Sequence, residues 1–238
     1  MKLHIYERKE AASYAASQLF LELVNTKPTA TLGLATGNTP VFLYRYFREL
    51  SPRVEQVTTF NLDEYVGIDP LHPASFATFM RTHLFNHLSF TEGRIHLPNP
   101  GQDPEAAAAA YQQQLEQHTI DIQLLGIGTN GHIGFNEPGC DFEQGVHIET
   151  LQEETRKANA VAFESLDVVP THALTMGIQN IMAAKRIVLL AFGEKKAEAV
   201  KHMIEGPITN LHPASILQKH PFVDVFLDQA AASLLKEK

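Results

Sequence analysis

Two stretches of the chain carry polar side chains whose types and spacing suit acid–base chemistry. Asp63 and Glu64 directly follow the β-branched run at 57–61 (VTTFN), and an aspartate at a strand end can remove a proton from carbon. Neighbouring residues in extended chain point to opposite sides, so we expect one of the two carboxylates to face a site, although both could be solvated loop carboxylates. His132 and Glu137 lie among five glycines in 126–139 (GIGTNGHIGFNEPG). A nearby glutamate orients an imidazole and raises its basicity.

A third stretch suits the binding of an anion. Residues 36–40 read Thr-Gly-Asn-Thr-Pro, in which Pro40 suits the first position of a helix and Thr39 suits its N-cap. Such a helix start presents free backbone N–H groups and the positive end of the helix dipole. The sequence therefore predicts a phosphate cradle at Thr36, Gly37, Asn38 and Thr39, with an ordinary capped helix start as the alternative.

Three other motifs give weaker evidence of a function. The G-x-G-x-x-G pattern at 126–131 would bind a dinucleotide if a helix followed at once, but the next residues, HIGFNEPG, do not favour a helix. His83 and His87 have the i, i+4 spacing of a zinc pair without an evident third ligand, which is typical of histidines on a helix surface. The tetrapeptide HPAS occurs at 72–75 and at 212–215 with different flanks, and we interpret this as coincidence.

Composition narrows the class of protein. The 238 residues include 19 Lys plus Arg and 27 Asp plus Glu, for a net charge of −8, which argues against a nucleic-acid partner. The only cysteine, Cys140, cannot form an internal disulfide, and its thiol is expected to be idle. No apolar run approaches the ~18 residues of a membrane span, and the start, MKLHIYERKE, is not a secretory signal. We expect a cytoplasmic protein without a membrane partner.

Buried apolar runs alternate with amphipathic segments along the chain, which predicts a parallel sheet covered by helices on both faces. The fold class is therefore α/β: a single Rossmann-like, doubly wound domain over residues 1–238 with a mostly parallel sheet. The predicted strands are 3–6, 31–35, 57–61, 120–125, 146–151, 186–192 and 222–227. The predicted helices are 8–24, 40–50, 75–88, 105–117, 174–184 and 194–205.

Several longer strings resemble the glucosamine-6-phosphate deaminase (glucosamine-6-phosphate isomerase) family. They are LGLATGNTP (32–40), FNLDEYVG (60–67) with HPASF (72–76), LLGIGTNGHIGFNEPG (124–139), ALTMGIQNIM (173–182), GEKKAEAV (193–200) and PASILQ (213–218). They cover most of the chain in the family's order, so the resemblance is more specific than any one motif. It implies a Rossmann-like fold and the conversion of glucosamine 6-phosphate to fructose 6-phosphate and ammonia, without an organic cofactor and without a metal.

The resemblance also implies roles for individual residues. His132 would open the sugar ring, held by Glu137 and Asn130, and Asp63 would act as the base of the enolisation. The phosphate would be bound by Thr36–Thr39 and by Lys196, which stands where the family has a phosphate-binding lysine.

The chain departs from the family pattern at two positions. Many long members have Asp where this chain has Asn130, and an amide cannot ionise, so only an orienting role carries over. Many members also have a phosphate-binding Arg at the position of Val161, so that a bidentate contact would be lost, with Arg156 and Lys157 as nearby cations.

Three alternatives stay open. They are a deaminase for a related amino-sugar phosphate such as galactosamine 6-phosphate, a 6-phosphogluconolactonase-like hydrolase, and a non-catalytic sugar-phosphate sensor. By resemblance to the short members of the family, we expect a monomer.

Overall fold

The computed structural model describes residues 1–236 and contains ten strands in two sheets. The strands are β1 (Lys2–Tyr6), β2 (Thr31–Leu34), β3 (Thr58–Asn61), β4 (Asp63–Tyr65), β5 (Ile95–His96), β6 (Ile122–Leu125), β7 (His147–Thr150), β8 (His172–Thr175), β9 (Ile187–Ala191) and β10 (Val223–Asp228). The larger sheet has seven strands in the order β1-β10-β9-β6-β2-β3-β5, and all of its pairs are parallel. The predicted α/β fold class with a mostly parallel sheet is confirmed.

Within residues 1–236, seven α-helices pack around these sheets. They are α1 (Lys9–Thr26), α2 (Val41–Glu49), α3 (Phe76–His83), α4 (Pro104–Glu116), α5 (Glu153–Asn159), α6 (Ile178–Met182) and α7 (Ala197–Glu205). The central strands of the larger sheet are buried along their whole length, because helices cover a parallel sheet on both faces. No helix among residues 1–236 is long and apolar enough to cross a membrane.

The direction of winding reverses in the middle of the larger sheet. From β2 the chain continues outward to β3 and β5, whereas from the adjacent β6 it continues the other way to β9 and β10. The loops that leave β2 and β6 therefore diverge and open a crevice at the carboxyl edge. In open α/β sheets, this switch point is where ligands bind.

The smaller sheet is antiparallel and was not predicted. It has the order β4-β8-β7, and it begins only one residue after β3 ends. The stretch at 63–65, which the sequence indicated as a loop, is therefore a buried strand. Asp63 pairs with Thr175 of β8, and the backbone N–H of Met176 donates to the carbonyl of Leu62 at 2.7 Å. These contacts with β8 hold the backbone at and just before Asp63.

Several helix predictions were wrong in their bounds. The helix predicted at 75–88 ends at His83 and is followed by a separate 3₁₀ turn, Phe85–His87. The helix predicted at 174–184 covers only Ile178–Met182, because its first residues belong to β8. Helix α5 and the 3₁₀ helix Pro213–Lys219 were not predicted.

Buried carboxylates join the amino ends of neighbouring strands, opposite the crevice. Asp121, just before β6, accepts hydrogen bonds from the ammonium groups of Lys27 and Lys185 and from the backbone N–H of Thr31, at 2.7–2.9 Å. Asp224 in β10 similarly binds His4 in β1. Because these groups lie in or next to strands that are distant in sequence, they hold the strands in alignment.

Candidate active site

The predicted site residues come together in one cleft of about 250 Å³ at the switch point between β2 and β6. Of the nine predicted residues, eight line it: Thr36, Gly37, Asn38, Thr39, Asp63, Asn130, His132 and Lys196. The ninth, Glu137, is 3% exposed and lies behind His132. Residues far apart in sequence meet here because each follows the carboxyl end of a parallel strand.

The two neighbouring carboxylates after β3 lie in different surroundings. Asp63 lines the cleft, and burial together with the charge of Glu64 raises its pKa to about 8. Glu64 faces the other way and accepts the backbone N–H groups of Phe76 and Ala77 at the start of α3, at 3.1 and 2.9 Å. The expectation that one carboxylate faces the site is confirmed, and the alternative of two solvated carboxylates is wrong.

His132 and Glu137 form a dyad supported by Asn130. The Nδ1 atom of His132 lies 3.6 Å from the Oε2 atom of Glu137, an ion-pair distance longer than a hydrogen bond. The Nδ2 amide of Asn130 donates to the same Oε2 atom at 2.9 Å, and its Oδ1 atom accepts the backbone N–H of His132 at 3.2 Å. Burial raises the pKa of Glu137, but the side chains of His132, Thr155 and Asn130 together outweigh burial, so the pKa is lowered. Glu137 is therefore held as a carboxylate beside the imidazole.

Glycine is required beneath the imidazole. The ring of His132 lies against the backbone of Gly128, and a Cβ atom there would be 2.4 Å from the ring. The same loop also approaches Asp63, since a Cβ atom on Gly134 would be 3.8 Å from its Oδ2 atom. The glycines of 126–139 thus let an imidazole and a carboxylate from separate strands share one cleft.

The G-x-G-x-x-G pattern at 126–131 is not followed by a helix, since the next element after β6 is the strand β7. This agrees with the sequence argument against a dinucleotide-binding motif.

The cradle after β2 contains a glycine in the left-handed conformation. Gly37 has φ +89°, which turns the chain toward α2. The helix begins at Val41, one residue later than predicted, and no side chain caps it, so the N-cap role of Thr39 was wrong. Lys196 lines the same cleft from the start of α7, and burial lowers its pKa, an effect that the charge of Glu154 opposes. The loop that leads into α2 and the ammonium of Lys196 therefore both border the cleft.

The two cations near Val161 have other partners. The side chain of Val161 is 91% exposed. The guanidinium of Arg156 donates to the carbonyls of Leu166 and Val169 at 3.1 and 2.9 Å, and Lys157 pairs with a glutamate one turn earlier. Neither lines the cleft, so Lys196 is the only Lys or Arg side chain that does so within residues 1–236.

Helix α5 supplies cleft residues that the sequence did not indicate. Glu154 lines the cleft and accepts a hydrogen bond from the hydroxyl of Thr129 at 2.9 Å. Asn159, the last residue of α5, also lines the cleft. The segment EETRKAN contains no apolar periodicity, so no signal in it predicted a helix at the site.

Two weaker sequence signals have no role at this site. Cys140 is buried, and burial raises the pKa of its thiol to about 11, so it is not a reactive nucleophile. His83 and His87 belong to no cluster of three or more metal-ligating side chains within residues 1–236. Both observations agree with the interpretation of the sequence.

The fold and the cleft together define an α/β protein with a cleft of acid–base side chains at the carboxyl edge of a parallel sheet. The family described as glucosamine-6-phosphate isomerases/6-phosphogluconolactonase matches residues 7–225. The chain belongs to this family, as its sequence motifs predicted.

Individual relatives cover the whole chain. Glucosamine-6-phosphate deaminase of Lactobacillus delbrueckii subsp. bulgaricus is 50% identical over 238 residues, which are 99% of this chain and 100% of the relative. The Listeria monocytogenes enzyme of the same name is 49% identical over 236 residues, again 99% and 100%.

Solved structures agree. A monomeric glucosamine-6-phosphate deaminase superposes with a TM-score of 0.96 at 44% identity, covering 98% of this chain and 100% of that one. A 6-phosphogluconolactonase from Trypanosoma brucei shares the fold with a TM-score of 0.79 at 18% identity, covering 98% of both chains.

Proposed function

We propose that this protein is an amino-sugar-phosphate deaminase that converts glucosamine 6-phosphate and water to fructose 6-phosphate and ammonia. The observation that carries the proposal is the meeting of Asp63 and His132 in one cleft, with Lys196 at its border. The relatives that cover the whole chain are deaminases by name. The solved 6-phosphogluconolactonase is only 18% identical, so its likeness supports the fold alone.

Ring opening is the first chemical step of this proposal. A cyclic amino sugar opens when a proton leaves the C1 hydroxyl and one reaches the ring oxygen. The imidazole of His132 borders the cleft and has Glu137 on its Nδ1 side, so its Nε2 atom is the group that carries this proton. The ionised carboxylate of Glu137 stabilises the imidazolium that forms in between.

Asp63 acts in the second step. Its carboxylate removes the proton from C2 of the open-chain sugar while the aldehyde oxygen at C1 takes up a proton, which gives an enolamine. A proton is then added at C1, which gives a protonated imine at C2. Water then adds to this imine, and ammonia leaves as the C2 carbonyl forms. The pKa of about 8 suits this task, because burial and Glu64 make Asp63 a stronger base than an exposed aspartate.

The phosphate of the substrate binds where the positive charge lies. The backbone around Gly37 and Asn38 together with the ammonium of Lys196 forms that border of the cleft. Because Val161 replaces an arginine of many members and points to solvent, this proposal assigns the ionic contact to Lys196.

A coupled assay tests the proposal. Purified protein should release ammonia and fructose 6-phosphate from glucosamine 6-phosphate, and Asp63→Asn should abolish both while the fold is retained. Galactosamine 6-phosphate and 6-phosphogluconolactone serve as the competing substrates. Folded protein that turns over only the lactone would identify a hydrolase, whereas tight binding of a sugar phosphate in calorimetry without turnover would identify a sensor.

The oligomeric state and the cellular location of the protein are proposed as well. We propose that the chain is a monomer in the cytoplasm, supported by the monomeric deaminase that it resembles at 44% identity and by its single cysteine. Light scattering measures the first property, and cell fractionation measures the second.

A further inference from the structure

A segment after α7 contacts the catalytic loop 126–140 at both ends. Near one end, the backbone N–H of Ala214 donates to the carbonyl of Gly131 at 2.9 Å. At the other, the carbonyl of Asn210 accepts the N–H of Gly139 at 2.9 Å, and its Nδ2 amide donates to the carbonyl of Cys140 at 3.2 Å. Residues 210–214, which we call the brace, therefore hold the part of the loop that contains His132 and Glu137.

The side chain of His212, in the brace, contacts the catalytic loop at the residue just before His132. Its ring rests on the backbone of Gly131, where a Cβ atom would be 2.3 Å from the ring. Gly131 also has φ +87°, a conformation that side chains disfavour. His132 is the next residue, so any movement of Gly131 moves the imidazole that the proposed function uses.

The ring of His212 is itself fixed. Its Nε2 atom lies 2.9 Å from the carbonyl of Ala199, and a carbonyl only accepts, so Nε2 carries the proton. Ala199 lies in α7, the helix whose first residue follows Lys196. The imidazole thus joins the helix behind the cation of the cleft to the loop that carries the acid–base histidine.

We propose that His212 is a positioning residue, one that holds the backbone of Gly131 so that His132 stays above Gly128 and beside Glu137. The proposal rests on the proposed function, since it assigns His212 to the geometry of the ring-opening step. Displacing a catalytic group by about 1 Å can reduce the rate about 100-fold. Loss of the His212 ring should therefore lower kcat and leave the binding of substrate unchanged.

The first copy of HPAS offers a matched control. In both copies the serine hydroxyl donates to a carbonyl of the preceding turn, from Ser75 to Pro70 at 2.7 Å and from Ser215 to Thr209 at 2.9 Å. His72, however, is exposed and its ring stacks on Phe163 at 5.8 Å. A histidine in the same tetrapeptide, but away from the catalytic loop, thus separates a general effect from positioning.

The kinetic test compares His212→Ala, His212→Gln and His72→Ala. The alanine variant at 212 should lower kcat about 10- to 100-fold with KM within about twofold. Glutamine retains a planar group and a donor that reaches Ala199, so it should restore most of kcat, and His72→Ala should leave kcat unchanged. A kcat within twofold of the parent in His212→Ala, or an equal loss in His72→Ala, would overturn the proposal. If His212→Ala does not fold, His212→Asn takes its place, because its shorter amide covers less of Gly131.

A second readout does not depend on activity. In substrate-free protein labelled with ¹⁵N-histidine, the ring signals of His132, assigned with His132→Gln, should shift or broaden in His212→Ala and stay unchanged in His72→Ala. Unchanged signals at His132 in the 212 variant would contradict the positioning role. If the parent protein does not turn over glucosamine 6-phosphate, the proposed function fails while this measurement still decides the geometry.

Discussion

Replacing Asp63 by Asn distinguishes the effect of its buried carboxylate on folding stability from the effect of the same carboxylate on turnover. The side chain is 7% exposed, and hydrogen bonds do not contribute to its raised pKa, which is due to burial and then to the charge of Glu64. Asparagine has nearly the same shape and never ionises. We therefore expect Asp63→Asn to lose turnover by orders of magnitude and, at neutral pH, to gain stability.

The size of the gain follows from the pKa. In the unfolded chain the carboxyl has a pKa near 3.8, and in the folded protein it is about 8. Because the folded value is the higher one, the contribution of this group to stability is complete below pH ~4 and is lost as the pH rises toward 8. At pH 7 the difference spans about 3.2 units, which corresponds to on the order of 4 kcal/mol. This is a large fraction of the ~5–15 kcal/mol that stabilises a typical protein.

Urea unfolding at pH 4, 6 and 8 measures this effect. The free energy of unfolding of Asp63→Asn should match the parent at pH 4 and exceed it increasingly at higher pH. Asp167→Asn is the matched control, because Asp167 is exposed and away from the cleft. In the parent, kcat/KM should fall as the pH is lowered below about 8, since the base becomes protonated.

Two results would refute this reasoning. A variant that is less stable than the parent at pH 8 would show that the carboxylate is stabilised in the folded protein. An Asp63→Asn enzyme that keeps more than about a tenth of the parent's kcat would remove Asp63 from the role of base, because general-base catalysis contributes about 100-fold or more.

Four further substitutions test other parts of the structure. Gly128→Ala should reduce kcat more than about tenfold with the fold retained, because its Cβ atom would displace the His132 ring; an unchanged kcat would contradict that contact. Lys196→Gln should raise KM about 10- to 100-fold with a smaller change in kcat, measured by initial rates, and an unchanged KM would place the phosphate elsewhere. Glu64→Gln should move the acid limb of kcat/KM to lower pH, since the charge that helps to raise the Asp63 pKa is gone; a limb that does not move would exclude this charge as a cause. Asp121→Asn should lower the free energy of unfolding by about 2 kcal/mol in urea. Despite burial, its lysine partners lower the Asp121 pKa, so the parent loses this stability only as the pH falls below ~4, and a variant as stable as the parent at pH 7 would contradict the bond network.

Long buried strands were predictable, and short strands at the site were not. The run at 186–192 (RIVLLAF) predicted β9 within one residue at each end, because a strand covered on both faces reads as a continuous apolar run. Strand β4 contains Asp63, Glu64 and Tyr65, a sequence that resembles a polar loop. It is a strand only because β8, more than 100 residues later, pairs with it.

Local sequence also did not predict a helix that is stabilised by contacts with the rest of the protein. Helix α5 has one buried residue, Thr155, so no apolar face indicates it. The segment is held instead by contacts such as the one from Thr129 to Glu154 and the guanidinium bonds of Arg156. Its contribution to the cleft could be seen only in three dimensions.

The sequence by itself determined which chemical groups this protein can bring to a site: the residue types at Asp63, Asn130, His132 and Glu137 and the glycines around them. It also determined the parallel order of strand and helix that brings such loops to one edge of the sheet. Only the tertiary structure decided where each of these side chains points and what it contacts. It turned Asp63 into the cleft and Glu64 onto a helix start, placed Glu137 behind the imidazole, and set His212 of a distant segment against Gly131. The physical reason is that a residue type fixes what a group can do, whereas its pKa and orientation depend on burial and on partners that the fold supplies.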